Sequence, residues 1–249
     1  MKCRIFAILT AFILSASGLI LGTVQASATG TCTPQHCLAL DDWHIQTGGV
    51  QGGQVKLKNC GMWNNTSTGL ANQLWVNFPD GESLSGGLNL TINGGAMEFV
   101  STWIHADGTV ETHHGWGTAP TPDYVHYYYV QITHPDLPGA PNEWLATFYD
   151  GQTLALLWQN AWYIDMTGYA NELRTGLDTS HAESSAWASS TEMQYYNLNR
   201  QWKSGWNTAG NPGTYFGFQA GDTAAGGNFD WHHAYDSSRY VFSHSLGCL

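Results

Sequence analysis

Apolar and polar residues alternate with a period of two along much of this chain. Val55 and Leu57 alternate with Lys56 and Lys58, and Leu88, Leu90 and Ile92 alternate with polar neighbours. That period sends one side chain inward and the next outward along an extended strand. It predicts strands over 54–59, 73–78, 87–93, 124–134, 143–149, 152–158, 169–175, 191–198, 214–219 and 239–244. Punctuating segments such as Pro79-Asp80-Gly81 and Pro138-Gly139-Ala140-Pro141 separate them. Helical periodicity and fixed repeats are missing. Many short strands joined by turns predict an all-β fold: a single-domain antiparallel β-sandwich, jelly-roll or concanavalin-like.

Two strands are tied together by Asp107-Gly108. The run from Ala96 to Ala106 precedes it and Thr109 to His114 follows it. Asp-Gly between alternating runs predicts a two-residue type I′ turn, because both positions need φ > 0. Ala106 then faces Thr109, Ile104 faces Glu111, and Thr102 faces His113. One face carries Met97, Phe99, Ser101, Trp103, His105, Val110, Thr112 and His114. The other carries Glu98, Val100, Thr102, Ile104, Glu111 and His113, so two carboxylates and an imidazole share a side. Asp150-Gly151 predicts a second hairpin of the same kind.

The first residues read as a targeting segment. Lys2 and Arg4 precede the apolar run Ile5 to Leu21, and Ala26-Ser27-Ala28 forms a small-residue cleavage site. Residues 1–28 are the expected signal peptide and 29–249 the secreted β-sandwich domain. No membrane contact is expected after cleavage. Without Lys2 and Arg4 the chain keeps 6 basic against 19 acidic residues, a formal charge of −13. Nucleic acid is a poor partner for that surface. Sparse Lys and Arg suit an acidic medium, while 11 His, which would all charge there, argue the other way.

Cys32, Cys37, Cys60 and Cys248 outlast cleavage, and four cysteines in an exported chain predict two disulfides with three possible connectivities. Cys248 is expected to tie down the C-terminus. Cys37–Cys60 would close a loop worth roughly 3 kcal/mol in the chain-entropy model.

Candidate chemistry follows from the carboxylates. Glu98 and Glu111 share a predicted face, but six residues of strand, roughly 20 Å, separate them, so neither serves the other. Glu172 shares its strand face with Ala170 and Arg174. His113-His114 and His232-His233 lie near acidic residues, yet neighbours on a strand point to opposite faces and each pair offers one ligand; no metal and no cofactor is expected. A Ser-His-Asp nucleophile is not marked, since G-x-S-x-G is absent. Among 12 Trp and 12 Tyr, most are expected in the core. Trp103, Trp116 and Tyr128 are assigned to substrate contact, and Trp116, Trp202, Trp206 and Trp231 to loops.

The order of several segments resembles the neprosin-like secreted glutamic peptidases and related uncharacterised secreted β-sandwich proteins. The resemblance runs from Asn72 to Leu198. It rests on Asn72-Gln73-Leu74-Trp75-Val76, Met97-Glu98-Phe99-Val100 and the Trp103-Ile104-His105-Ala106-Asp107-Gly108 hairpin. Asn142-Glu143-Trp144-Leu145, Ala170-Asn171-Glu172-Leu173 and Met193-Gln194-Tyr195-Tyr196-Asn197-Leu198 continue it. Two positions depart from the family pattern: Gly115-Trp116-Gly117 replaces a Cys-bearing segment, and Ala170-Asn171 replaces Gly-Gly. The resemblance implies a glutamic-type endopeptidase, active at acid pH, with Glu98 and Glu172 as its catalytic pair. One activates water and the other polarises the scissile carbonyl. The substrate is an extracellular polypeptide or polysaccharide. The competing expectation is a non-catalytic carbohydrate- or surface-binding module working through exposed aromatics, and a glycosidase would need two close carboxylates.

Overall fold

A computed structural model of the protein describes residues 37–45, 49–63, 70–90, 97–115, 119–135, 142–164, 169–179, 185–204, 214–217, 231–236, 240–245 and 248. Among them are fifteen strands and no helix. One seven-stranded sheet has the order β13 (Thr214–Gly217), β1 (Cys37–Ile45), β10 (Glu172–Thr179), β3 (Leu70–Asn77), β4 (Ser83–Leu90), β5 (Met97–Ile104), β6 (Val110–His114). The eight-stranded sheet has the order β14 (Trp231–Asp236), β15 (Tyr240–Ser245), β11 (Ser185–Tyr196), β2 (Gly52–Trp63), β7 (Tyr128–Thr133), β8 (Glu143–Asp150), β9 (Leu156–Tyr163). Short β12 (Trp202–Lys203) pairs with β11. Neighbouring strands run antiparallel, and the two sheets pack as a sandwich.

The period-two pattern explains the core. Leu74 and Val76 of β3, Leu84 and Leu88 of β4, and Phe99 of β5 point inward from one sheet. Val55 and Leu57 of β2, Val130 and Ile132 of β7, and Phe148 of β8 meet them from the other. The Phe99 ring lies 5.3 Å from Tyr128 and 5.2 Å from Phe148, and Trp144 packs edge-on against Phe78 at 4.8 Å. Each such fully buried ring contributes about 1.5–3 kcal/mol relative to exposure.

A polar pillar crosses this core. Asn72 Nδ2 of β3 donates to Asn59 Oδ1 of β2 at 2.9 Å and to the Ser189 carbonyl of β11 at 3.3 Å. Ser190 Oγ donates to Asn72 Oδ1 at 3.3 Å, and Thr175 Oγ1 of β10 lies 3.1 Å from Ser190 Oγ. All four side chains are buried. Burial of such groups is tolerated because they satisfy one another.

Several boundaries differ from expectation. Strand β4 begins at Ser83, not 87, because Gly81 donates to the Phe78 carbonyl and Phe78 to the Glu82 carbonyl, closing the turn early. Strands β1 and β14 lie in segments without a predicted strand, and Trp231 and Trp202 sit on β14 and β12, not in loops. Trp206 lies outside the described residues.

The β5–β6 hairpin is offset by one residue. Its loop is the three-residue Ala106-Asp107-Gly108: Gly108 N donates to the His105 carbonyl at 2.9 Å, and His105 N to the Thr109 carbonyl at 2.8 Å. Gly108 takes φ +85°, as the last residue of a type I turn with a bulge requires. Ile104 therefore faces Val110, and Trp103 faces Glu111. A one-residue slip flips a whole strand. Glu111 and His113 move to the side of Trp103, while Val110, Thr112 and His114 join Glu98. The second hairpin likewise replaces a two-residue turn with Gly151 to Leu154. The Asp150 carboxylate accepts N–H bonds from Gln152 and Thr153, and Leu154 N donates to the Asp150 carbonyl at 2.8 Å.

Cys60 is bonded to Cys248, not to Cys37, with Cα atoms 5.8 Å apart. The C-terminal cysteine thus staples the chain end to β2. Cys37 opens β1, and Cys32 lies outside the described residues.

Candidate active site

Glu172 is the first residue of β10 and shares a row with Asn77 of β3 and Ser83 of β4. All three side chains project from the outer face of the seven-stranded sheet, because Leu173 and Val76 beside them point into the core. The Asn77 amide donates to Glu172 Oε2. Arg174 Nη2, two residues along the same strand face, lies 3.1 Å from Oε1 and 3.0 Å from Oε2. Ser83 Oγ donates to Asn77 Oδ1 at 2.6 Å, which turns the Asn77 amino group toward the carboxylate. Glu172 is 7% exposed. The result is a nearly buried carboxylate ringed by a carboxamide and a guanidinium, with a hydroxyl behind the amide.

Glu98 does not join it. Glu98 is aligned with Asn89, Ala71 and Asp178, whereas Glu172 is aligned with Asn77, Ser83 and Ile104. The two glutamates share a face but stand six rows and three strands apart, about 20 Å along the strands and about 14 Å across them. The cause is topological. Strands three steps apart in an antiparallel sheet run in opposite directions, so the starts of β5 and β10 lie at opposite ends. The implied Glu98–Glu172 pair is not formed. Glu98 instead meets His114 Nδ1 at 3.1 Å.

The expected aromatic contacts also change. Tyr128 is buried at 4% exposure against Phe99, and its hydroxyl accepts the Thr121 N–H at 2.8 Å, so it is a core residue. Trp103 packs half-buried against the core with the His105 ring tilted against it at 4.0 Å. Trp116 lies outside the described residues.

Near the turn end of β5, His105 bridges two carboxylates: Nε2 lies 2.9 Å from Glu111 and Nδ1 3.9 Å from Glu82. Burial, then the Asp80 charge, raises the Glu82 carboxyl above its ordinary value. At the sheet edge, Thr112, His113, His114, Trp158 and Asn160 line a hollow of about 390 Å³.

A second constellation, not anticipated from the sequence, occupies the outer face of the eight-stranded sheet. Gln54 of β2 is aligned with Gln131 of β7 on one side and Gln194 of β11 on the other. Gln131 Nε2 donates to Gln54 Oε1 at 2.5 Å, and Gln54 Nε2 donates to Gln194 Oε1 at 3.1 Å. A β-bulge between Thr191 and Gln194 adds Glu192 to the same face, with φ +53°. Glu192 accepts from Lys56 Nζ at 2.7 Å and from the Tyr129 hydroxyl at 2.5 Å. Gln54, Gln131, Gln194, Glu192 and Tyr129, with Tyr149 and Leu154, line an open cleft of about 460 Å³. A hollow of about 280 Å³ shares Glu192 and continues past Lys56, Tyr127 and Tyr124.

No protein-family model matches the sequence, and no curated protein sequence does. Solved structures do. Scytalido-glutamic peptidase with a transition-state analogue inhibitor matches with a TM-score of 0.52 at 8% identity, over 84% of this chain and 97% of that one. A structure of the same peptidase with a peptide-based transition-state analogue gives 0.49 at 9% identity, over 85% and 97%. The alginate lyase from Klebsiella pneumoniae gives 0.45 at 10% identity, over 62% of each chain. The first of these establishes a shared fold. The likeness is to the scytalido-glutamic peptidase sandwich and does not single out the neprosin-like branch.

Proposed function

We propose that the protein is a secreted hydrolase of the acid-peptidase type, with Glu172 as its catalytic carboxylate. The supporting observation is the Glu172 carboxylate held between the Asn77 amide and the Arg174 guanidinium. The fold shared with a glutamic peptidase favours that class of activity, and the likeness of Ala170-Asn171-Glu172-Leu173 to the neprosin-like pattern favours the same residue. The leader-like residues 1–28 and the Cys60–Cys248 disulfide favour an exported protein.

In this reading a water molecule attacks the scissile carbonyl carbon while Glu172 takes one of its protons. The C–O bond forms and the carbonyl oxygen gains negative charge. As Glu172 becomes neutral on taking the proton, the Asn77 amide and the Arg174 guanidinium beside it turn N–H donors to that charge. Collapse of the intermediate breaks the C–N bond, and Glu172 returns its proton to the leaving amine. Ser83 acts through Asn77 by fixing the direction of its amide. Glu98 has no part in the step.

The test is digestion of an acid-denatured protein across pH 2 to 8 by wild type, Glu172→Gln and Glu98→Gln, each checked for native circular dichroism. Glu172→Gln is expected to lose at least about 100-fold in rate, the lower range for general acid–base catalysis. Glu98→Gln is expected to keep its activity. Wild-type rates in Glu172→Gln would remove Glu172 from the mechanism.

A further inference from the structure

We propose that the cleft on the outer face of the eight-stranded sheet binds a neutral glycan chain, through Gln54, Gln131 and Gln194 on its floor and Tyr129 and Tyr149 beside them. The proposal is independent of Glu172, which lies on the other sheet.

The floor chemistry points to hydroxyl groups. A carboxamide carries two donors and an acceptor, so each can serve a sugar hydroxyl in either sense. Three of them stand in one row across β7, β2 and β11, spaced by the strand separation of about 4.8 Å. Their mutual bonds run one way, from Gln131 through Gln54 to Gln194. The ladder therefore ends on an acceptor, Gln131 Oε1, and a donor, Gln194 Nε2. Tyr129 and Tyr149 face each other in the next row, on the same side of the sheet. Their rings supply apolar faces of the kind that sugar C–H groups pack against, with a polar tip at the rim.

Charge selects a neutral ligand. The two charged groups nearest the amide ladder, Lys56 and Glu192, are paired with each other at 2.7 Å, and Lys56 Nζ also sits 4.0 Å over the Tyr127 ring. In the cleft beside the amide ladder neither sign is left in excess for an anionic or cationic ligand; Lys58 adds one positive group farther on, in the adjoining hollow. The cleft volume of about 460 Å³ falls in the ordinary small-ligand range of about 300–1,000 Å³. The adjoining hollow past Glu192 makes room for a chain longer than one ring.

Glu192 adds an independent sign. A non-glycine residue at φ +53° costs free energy that the surrounding structure must hold in place, and such residues cluster at functional sites. Here the bulge sets the carboxylate at the junction of the two hollows, where it fixes Lys56 and the Tyr129 hydroxyl.

Affinity electrophoresis of the full-length protein in gels containing hydroxyethylcellulose, laminarin or galactomannan tests this, with alginate as the anionic control. Retardation by at least one neutral polymer and not by alginate is expected. Gln131→Leu and Tyr149→Ala should each raise the dissociation constant at least tenfold. Gln131→Glu, which keeps the shape and adds a charge, should also weaken binding, and Glu172→Gln should bind as wild type. No retardation by any of the three neutral polymers would overturn the proposal. So would equal retardation by alginate, or wild-type binding by natively folded Gln131→Leu and Tyr149→Ala.

Discussion

Glu192 Oε1 lies 2.7 Å from Lys56 Nζ, across a β-bulge where the backbone at Glu192 enters the left-handed region. Regular pairing would give β11 one residue for each residue of β2. The bulge inserts one more and directs the carboxylate toward Lys56 and Tyr129.

This geometry separates backbone strain from side-chain contacts. Glu192→Ala loses the contacts and keeps a side chain at φ +53°. Glu192→Gly loses the same contacts and relieves the strain. Urea unfolding should find the Gly variant more stable than the Ala variant by about 1 kcal/mol. Equal stabilities would mean that the bulge holds no strain.

The disulfide sets a second expectation. Cys60 and Cys248 are 188 residues apart. Closing so long a loop restricts the unfolded chain strongly, by about 5 kcal/mol in the chain-entropy model. The double variant Cys60→Ser, Cys248→Ser should lose several kcal/mol in urea unfolding, and reductant should destabilise wild type more than the variant. An unchanged unfolding midpoint would refute a structural role.

Two carboxylates should act on stability with opposite pH dependence. Asp123 is pulled down to about 2, first by the backbone N–H of His126. Its contribution is complete above the ordinary Asp value of 3.8 and is lost as pH falls through about 2. Asp123→Asn should therefore destabilise most at neutral pH, with the gap closing toward pH 2. Glu82 is raised by burial, so ionising it costs stability as pH rises past its ordinary value of 4.5. Glu82→Gln should be the more stable protein at pH 7 and equal to wild type near pH 3. Thermal unfolding across pH checks both signs.

Alternation of residues such as Val55, Leu57 and Leu88 made the sandwich legible, because the inner and outer faces of a strand differ in solvent. Register was less legible. Ala106-Asp107-Gly108-Thr109 satisfies a two-residue and a three-residue loop alike. The choice falls to contacts outside the turn: the longer loop sets His105 against Glu111 and lets the Asp107 carboxylate accept the Thr109 N–H at 2.8 Å.

Sheet order was not legible at all, and the site depended on it. Glu98 and Glu172 both lie near the start of their strands, and nothing local to either shows that β5 and β10 run opposite ways. The resemblance led to Glu172, but Asn77 and Ser83 became its neighbours only once β10, β3 and β4 were side by side. Gln54, Gln131 and Gln194 read singly as solvent-facing strand residues. Their sequence separations of 77 and 140 hide the fact that they form one row.

The pillar formed by Asn59, Asn72, Thr175 and Ser190 gives the fold a key against misassembly. Apolar alternation alone tolerates sliding β3 by two residues, since every inward side chain stays inward. The pillar does not. Such a slide carries Asn72 away from Asn59 and Ser190 and strands their polar groups in a dry interior, at about 1–3 kcal/mol for each group left unpaired. Greasy residues hold the two sheets together, and four small polar ones decide which of several equally greasy alignments the chain accepts.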